Sequence, residues 1–298
     1  MLISKLHPDE VDVHIADVAQ LVADQFPQWA GLPLTPVKSS GTDNVMLRLG
    51  DDLVVRLPRI ASAVPSLAKE VKYAPMMGAQ LPVPLAVPLA EGVPGIGYPW
   101  PWTVSRWLPG ETPRPGTASP ALARQLADFV TALHALDTGA APRDELTSYR
   151  GAHPGTTDDA ARAAIANCEG LLDVAQLTAA WNTVKLARES AGTPTWIHTD
   201  MQPGNLLLSD GRLAGVLDWG GLAIGDPAVD LIVAWNLLDA PARAVFRDAV
   251  AVDDATWDRG RAWALTIGVV AYPYYVDSNP ALAAVSRYQM GQVLADIS

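Results

Sequence analysis

The sequence is poor in cysteine and contains no long hydrophobic run. Its single cysteine, Cys168, cannot form a disulfide within the chain, which is typical of proteins in a reducing compartment. No apolar run approaches the roughly 18 residues that a membrane-spanning helix requires. The N-terminus lacks the apolar core of a signal peptide, because Asp9, Glu10 and Asp12 follow within a few residues. These absences predict a cytoplasmic protein that neither crosses nor binds a membrane.

Basic residues are also scarce. The chain has 21 Lys+Arg against 32 Asp+Glu, a net charge of -11, which argues against a nucleic-acid partner because phosphates would be repelled. The charge is uneven, with a net of -2 over residues 1–107 and -9 over residues 108–298. A cationic small molecule that binds the second half fits this imbalance. The alternative is that the acidic surface provides solubility alone.

The remaining composition is that of a folded protein. Of the 298 residues, 49% are hydrophobic and 18% are charged, so the chain can bury a sizeable core as one large or two modest domains.

Two turns in the second half carry the side chains with the clearest chemistry. Short apolar runs within residues 196–208 flank a loop that contains His198, Asp200 and Asn205, and the next apolar run ends at Asp218. One carboxylate can accept a hydroxyl proton, while an amide oxygen and a second carboxylate can hold Mg²⁺ on phosphates. The pattern therefore predicts phosphoryl transfer.

The same side chains allow a metallohydrolase site as an alternative. That reading needs further histidines at ligand spacing. The other four histidines are scattered without such a pattern: His7, His14, His134 and His153.

The order and spacing of these motifs resemble a known family. The elements are His198-x-Asp200-x4-Asn205, then Asp218-Trp219-Gly220, then Gly225-Asp226-Pro227-x-x-Asp230-Leu231. Together they look like the catalytic and metal loops of the aminoglycoside phosphotransferases, which are antibiotic kinases with a protein-kinase-like fold.

The resemblance implies an α+β, bilobal fold. Residues 1–107 would form a nucleotide-binding lobe, with a small antiparallel β-sheet and one main helix, that ends at a hinge. Residues 108–298 would form a larger, mostly helical lobe with the catalytic loop and a substrate-binding subdomain.

The resemblance also implies roles for individual residues. Asp200 would be the catalytic base, and Asn205 and Asp218 would bind Mg²⁺. We expect His198 to hold the loop by hydrogen bonding and Asp230 to brace it, since a carboxylate within an apolar helix needs a partner.

The first half offers a candidate phosphate-binding loop. Residues 37–49 predict strand, polar turn and strand, and residues 53–57 predict a third strand. Within the turn, Ser40, Gly41 and Thr42 resemble the nucleotide-binding loop of the family, where backbone N–H groups and small hydroxyls approach the triphosphate. The alternative is an ordinary hairpin turn.

The third strand carries Arg56 where protein kinases have a phosphate-binding lysine. An arginine can perform the same electrostatic task with a bidentate fork, although another register would place Arg59 there. Glu70, on a helix that we expect to begin with Ser66 as its cap and to kink or restart at Pro75, resembles the partner of this cation. The alternative for Glu70 is a solvated side chain.

The strand over residues 98–108 resembles the hinge. There the backbone of Ser105 and Trp107 would bind the adenine of ATP, with GTP as the alternative nucleotide.

The remainder predicts helices. Ser119-Pro120 and Asn279-Pro280 are typical helix starts, and residues 158–190 are helical in pattern. Five carboxylates in residues 158–190 are expected to be exposed: Asp158, Asp159, Glu169, Asp173 and Glu189. They are candidates for binding the ammonium groups of an acceptor. The alternative is that they form a solvated helix face.

Three functions follow in order of preference. The first is an antibiotic kinase, with an aminoglycoside as the leading hydroxyl acceptor. The second is a metabolic kinase of the same fold that acts on a sugar, an amino alcohol or another natural product. The third is a nucleotide-binding module without catalysis. We expect a monomer or a homodimer.

Overall fold

The computed structural model describes residues 1–5, 9–37, 43–190 and 192–297. The chain divides into two compact units. The first comprises Met1–Gln80, Pro84–Pro109 and Gly215–Gly220, and the second comprises Leu81–Val83, Gly110–Ala214 and Gly221–Ser298. The lobe boundary after residue 107 remains a prediction. The segment that contains Asp218 belongs to the first compact unit.

The first unit contains an antiparallel sheet. In its described part the strand order is β1-β2-β3-β5-β4. The strands are β1 (Leu34–Pro36), β2 (Asn44–Leu49), β3 (Leu53–Pro58), β4 (Pro88–Gly92) and β5 (Trp102–Arg106). The strands predicted over residues 44–49 and 53–57 are thus confirmed. Burial alternates along β2, whereas every residue of β3, which lies between β2 and β5, is buried.

The two faces of this sheet differ in character. Val55 of β3 and Val104 of β5 are register partners and belong to a core that also includes Leu21 of helix α1 (Ile15–Gln25). Because successive side chains point to opposite faces, Arg56 and its register partner Thr103 lie on the other face. One face therefore forms the core, and the other carries polar groups.

Helix α2 (Val64–Gly78) begins earlier than predicted. It begins two residues before Ser66, with Pro65 in its first turn, and Ser66 therefore does not cap it. Proline fits the first helical turn because the N–H that it lacks has no partner inside the helix. The helix also continues through Pro75 instead of restarting there.

The second unit is mostly helical. The helices described in it are α3 (Pro120–His134), α4 (Asp158–Ala166), α5 (Val174–Val184), α6 (Val233–Asn236), α7 (Ala240–Val250), α8 (Asp254–Tyr275) and α9 (Pro280–Asp296). Its short strands are β6 (Thr195–Ile197), β7 (Leu206–Ser209), β8 (Arg212–Val216), whose last two residues belong to the first unit, and β9 (Ala223–Gly225). Side chains of Ser119 and Asn279 cap α3 and α9, as predicted. The α+β fold class is confirmed.

Within the described ranges, no helix combines the length and the apolar character needed to cross a membrane.

Candidate active site

The loop between β6 and β7 is held by one buried carboxylate. Asp230 has no exposed surface, and its Oδ2 and Oδ1 accept hydrogen bonds from the backbone N–H groups of His198 (2.9 Å) and Thr199 (2.8 Å). Nε2 of His134, at the end of α3, lies 3.0 Å from Oδ2 of Asp230. The predicted bracing role of Asp230 is therefore confirmed, and His134 contributes to it.

His198 also has the structural role predicted for it. It is fully buried, and its Nδ1 accepts a hydrogen bond from the backbone N–H of Asp200 (3.3 Å). A ring nitrogen that accepts carries no proton, so this bond fixes the tautomer of His198. His198 thus shapes the backbone that presents Asp200.

The backbone of this loop is strained at Thr199. Its φ is +74°, a left-handed value that is unusual for a β-branched residue. The Thr199 hydroxyl donates to the carbonyl oxygen of Gly221 (3.1 Å), and a Cβ added at Gly221 would lie 2.4 Å from that hydroxyl oxygen. Strain of this kind persists only when its surroundings enforce it. Here Asp230 and Gly221 do so.

Three side chains converge on the Asp200 carboxylate. Its Oδ2 accepts from the amide groups of Asn205 (2.9 Å) and Gln202 (2.8 Å), and Asn205 also donates to the Asp200 carbonyl oxygen (2.9 Å). Its Oδ1 accepts from Nη1 of Arg150 at 2.8 Å. The structure thus brings the predicted base and one predicted metal ligand together. It adds Arg150, which belongs to none of the predicted motifs.

Arg150 is positioned by two glycines that touch. Arg150 lies in the short 3₁₀ helix Tyr149–Gly151, and the Cα of Gly151 lies so close to Gly225 that a Cβ added at Gly225 would be 2.6 Å from it. The Asp226 N–H donates to the Gly151 carbonyl oxygen (2.9 Å), while the Asp226 carboxylate caps the following helix and pairs with the buried Arg259.

The first unit contains a buried ion pair on the polar face of its sheet. Nη1 of Arg56 lies 2.6 Å from each carboxylate oxygen of Glu70, and both residues are buried. Burial by itself disfavours the charged guanidinium, but the attraction of Glu70 and Asp218 outweighs it and holds the pKa of Arg56 above its usual value. The predicted pairing of Arg56 with Glu70 is confirmed. The alternative register fails because Arg59 pairs with Glu10 instead (2.6 Å).

Asp218 belongs to this cluster. Its Oδ1 lies 3.9 Å from Nη2 of Arg56, its side chain is 52% exposed, and its φ of +60° is one that aspartate tolerates. The next backbone N–H, that of Trp219, lies 3.4 Å from the Glu70 carboxylate. A Cβ added at Gly220 would lie 2.8 Å from the Cβ of Ser66 on α2, so only glycine allows this close approach.

Of the candidate nucleotide-binding residues other than Arg56 and Glu70, the structure describes Ser105 and Trp107. Ser105 lies buried in β5 on the same face as Arg56. The backbone N–H of Trp107 donates to the carbonyl oxygen of Asp52 (2.8 Å), so this N–H is engaged within the unit. The candidate phosphate-binding residues Ser40, Gly41 and Thr42 lie outside the described residues.

Two of the acidic residues in the 158–190 helices have structural roles. Asp158 accepts from the indole N–H of Trp181 (2.7 Å) and from Lys185 (2.9 Å), which holds α4 to α5. Lys185 and Trp181, together with Arg162, keep the pKa of Asp158 below its usual value. Asp173 caps α5. The sequence pattern, which places Asp158 and Asp173 on an exposed helix face, predicted neither of these structural roles.

Magnesium requires oxygen ligands, and the two predicted ligands, Asn205 and Asp218, can each offer one. Because Asn205 donates its amide hydrogens to Asp200, its Oδ1 is the atom available as a ligand, and Asp218 offers a half-exposed carboxylate. These donors fit the ion. Within the part of the chain that the structure describes, no three His, Cys, Asp or Glu side chains are grouped to hold a metal.

Comparison with known proteins places the chain in a family. A sequence model of the phosphotransferase enzyme family matches residues 34–263. The chain therefore belongs to the phosphotransferase enzyme family, as its motifs predict. No curated protein matches the chain significantly.

Solved structures share the fold at low sequence identity. The GDP complex of aminoglycoside 2'-phosphotransferase-IIIa has a TM-score of 0.71 at 17% identity, over 96% of this chain and all of that one. The GDP and kanamycin complex of APH(2")-IIia has a TM-score of 0.69 at 19% identity, over 94% and 98%. The macrolide 2'-phosphotransferase MphH from Brachybacterium faecium has a TM-score of 0.63 at 22% identity, over 94% and 98%. The kinase-like fold is thereby confirmed.

Proposed function

We propose that this protein transfers the γ-phosphate of ATP to a hydroxyl group of a small molecule, with an antibiotic as the leading acceptor and GTP as the alternative nucleotide. The observation that carries the proposal is the geometry of Asp200. The side chains of Asn205 and Gln202 hold one carboxylate oxygen, and a loop braced by Asp230 fixes the backbone. A carboxylate presented this rigidly suits a base that must orient a hydroxyl before transfer.

In the proposed reaction, Asp200 accepts the hydrogen bond of the acceptor hydroxyl. The hydroxyl oxygen attacks the γ-phosphorus, a new P–O bond forms, and the bond to the β–γ bridging oxygen breaks. The hydroxyl proton passes to Asp200, and the nucleoside diphosphate leaves. The loop needs no large movement for this step, because its backbone is already fixed.

Arg56 and Glu70 serve the nucleotide in this proposal. The buried Glu70 carboxylate holds the Arg56 guanidinium, and a guanidinium with a raised pKa stays charged at every physiological pH. We assign it to the nucleotide phosphates. The loop at Ser40, Gly41 and Thr42 and the backbone of Ser105 and Trp107 remain our candidates for the rest of the nucleotide site.

Asn205 and Asp218 are the proposed ligands of Mg²⁺, whose role when bound is to neutralise charge on the phosphates. Asn205 can do this only in the amide orientation that the Asp200 bonds impose. The bonds around Asp200 therefore also select the ligand atom of Asn205.

The net charge of -9 over residues 108–298 supports a cationic acceptor such as an aminoglycoside. A reduced Cys168 and the need for ATP support a cytoplasmic location.

The test is a turnover screen of the purified full chain with MgATP and MgGTP. The acceptors are kanamycin, gentamicin, streptomycin, a 14-membered macrolide, and a set of sugars and amino alcohols, with nucleoside diphosphate release as the readout. We expect acceptor-dependent turnover with an antibiotic, and a loss of at least about 10³-fold in Asp200→Asn, since removing a catalytic base costs about 10²–10⁴-fold.

Asp210→Asn is the matched control, because Asp210 is exposed in the β7–β8 turn. Turnover of a sugar or an amino alcohol with no antibiotic turned over would replace the antibiotic role with metabolic kinase activity. Nucleotide binding without any turnover, or full activity of Asp200→Asn, would overturn the proposed mechanism.

A further inference from the structure

The Asp200 carboxylate is not symmetric in its contacts. Among the described residues, Oδ2 accepts from two donors, the amides of Gln202 and Asn205, whereas Oδ1 accepts from Arg150 alone. Each oxygen of an ionised carboxylate has two lone pairs. Oδ2 is therefore saturated, and Oδ1 keeps one lone pair for a further donor.

Arg150 contacts this loop at two points with one nitrogen. Its Nη1 donates to Oδ1 of Asp200 (2.8 Å) and to the carbonyl oxygen of Thr199 (3.0 Å), while its Nε donates to the Tyr149 hydroxyl (3.1 Å). The two Nη1 bonds connect the Asp200 side chain to the strained backbone of Thr199, the residue before it. A rotation of the Asp200 carboxylate would break the bond to Arg150 and the two bonds at Oδ2 together.

The guanidinium remains charged in this position. Burial alone would lower the pKa of Arg150, but the attraction and hydrogen bonds of Asp200 and Tyr149 together outweigh it and raise the pKa above its usual value. The side chains of Arg150 and Asp200 are 25% and 26% exposed, so the pair is open to a ligand on one side. Among the described residues, no contact of Arg150 uses its Nη2, which leaves that nitrogen able to donate further.

The segment that carries Arg150 is itself held in place by its surroundings. The 3₁₀ helix that carries it is fixed by the contact of Gly151 with Gly225 and by the Asp226 N–H bond to the Gly151 carbonyl oxygen. Asp226 is itself held by Arg259, which is 1% exposed. The backbone therefore delivers Arg150 to Asp200 from a rigid support.

From these contacts, and resting on the proposed function, we propose that Arg150 is a positioning residue for phosphoryl transfer. Arg150 and the two amides orient the Asp200 carboxylate so that the free lone pair of Oδ1 receives the acceptor hydroxyl. The Arg150 guanidinium, which contacts Oδ1, then lies beside the acceptor hydroxyl oxygen that becomes bonded to phosphorus. Arg150 thereby acts on the rate of transfer rather than on the affinity for the nucleotide.

The experiment measures kcat and KM of Arg150→Ala, Arg150→Lys and Arg143→Ala with MgATP or MgGTP. The acceptor is the most active one from the turnover screen, and water serves as acceptor if none is found, with nucleotide hydrolysis as the readout. Arg143 is the matched control because it is exposed and contacts only the Thr138 hydroxyl at 3.4 Å among the described residues.

We expect Arg150→Ala to lower kcat by about 30- to 100-fold, because a displacement of a catalytic group on the order of 1 Å costs about 10²-fold. The KM for nucleotide should change less than about threefold, since the contacts of Arg150 are all to Asp200, Thr199, Tyr149 and Ser148. Arg150→Lys should recover part of the loss, because lysine restores the charge but not the planar fork.

Chemical rescue separates positioning from folding. Guanidinium chloride at 20 mM should raise the kcat of Arg150→Ala at least about fivefold, whereas 20 mM urea, of the same shape but neutral, should not. A thermal unfolding midpoint shared by the variants would exclude a folding defect.

Three outcomes would overturn the inference. Wild-type kcat in Arg150→Ala, or equal rescue by urea and guanidinium, would remove the positioning role while leaving the kinase function intact. An increase in nucleotide KM without a change in kcat would also remove it. No nucleotide turnover by the wild-type chain under any condition would instead refute the proposed function, and the role of Arg150 with it.

Discussion

Replacing Asp230 with asparagine is the most direct test of how the catalytic loop is held. Asp230 is fully buried and accepts from the backbone N–H groups of His198 and Thr199, with Nε2 of His134 also within hydrogen-bond distance. Asparagine keeps the shape but exchanges one oxygen for an NH₂ group, which cannot accept. In either orientation of the amide, one of the two backbone N–H groups faces another donor.

The magnitude follows from these contacts. A buried N–H group without an acceptor costs about 1–3 kcal/mol, and the bond that remains loses the extra strength of a charged acceptor, about 1 kcal/mol. We therefore expect Asp230→Asn to lower the free energy of unfolding by about 3 kcal/mol. The left-handed backbone of Thr199, whose φ is +74°, stores strain of about 1–3 kcal/mol in the wild type. In the variant, the loop would move and release that strain. Because Asp200 moves with it, kcat should fall about 10²-fold.

Urea unfolding followed by tryptophan fluorescence measures the stability, and hydrogen exchange at the amides of His198 and Thr199 measures the local effect. Asp248→Asn, at an exposed position of α7, is the control and should stay within about 0.5 kcal/mol of the wild type. The reasoning is refuted if Asp230→Asn matches the wild type in unfolding free energy and in exchange at these two amides.

Three further outcomes are expected. Glu70→Gln removes the hydrogen-bonded counter-charge of the buried Arg56 guanidinium and leaves only the more distant and exposed Asp218, so urea unfolding should show a loss of about 3 kcal/mol, and a loss under 1 kcal/mol would contradict the pairing. Gly220→Ala should destabilise the first unit by about 1–3 kcal/mol in the same assay, and adding Ser66→Gly should reverse this because it removes the Cβ that lies 2.8 Å away. Burial raises the pKa of the Cys168 thiol, so a thiol reagent at pH 8 should label it only after unfolding, and rapid labelling of the native protein would contradict its burial.

Local patterns predicted most of the secondary structure near the site. The strands β2 and β3 and the cap at Ser119 are set by neighbours in sequence, and the structure shows each of them. The helix start predicted at Ser66 was wrong because Pro65 already provides a favourable first turn at an earlier position.

The sequence by itself also determined which chemistry the chain carries. The spacing from His198 through Asp200 to Asn205, and then to Asp218, was enough to predict the family, and the pairing of Arg56 with Glu70 followed from it. These residues could be found because short motifs keep side chains at fixed separations along one loop or one strand.

Only the tertiary structure revealed what surrounds that chemistry. Arg150 lies 50 residues before Asp200, and His134 lies 96 residues before Asp230, so no local spacing connects either pair. Asp218 belongs to the first unit, where the neighbouring Gly220 closely approaches Ser66, a residue far from it in sequence. Such contacts are fixed by packing between distant segments, whereas a sequence pattern reports only the periodicity and turn preferences of neighbours.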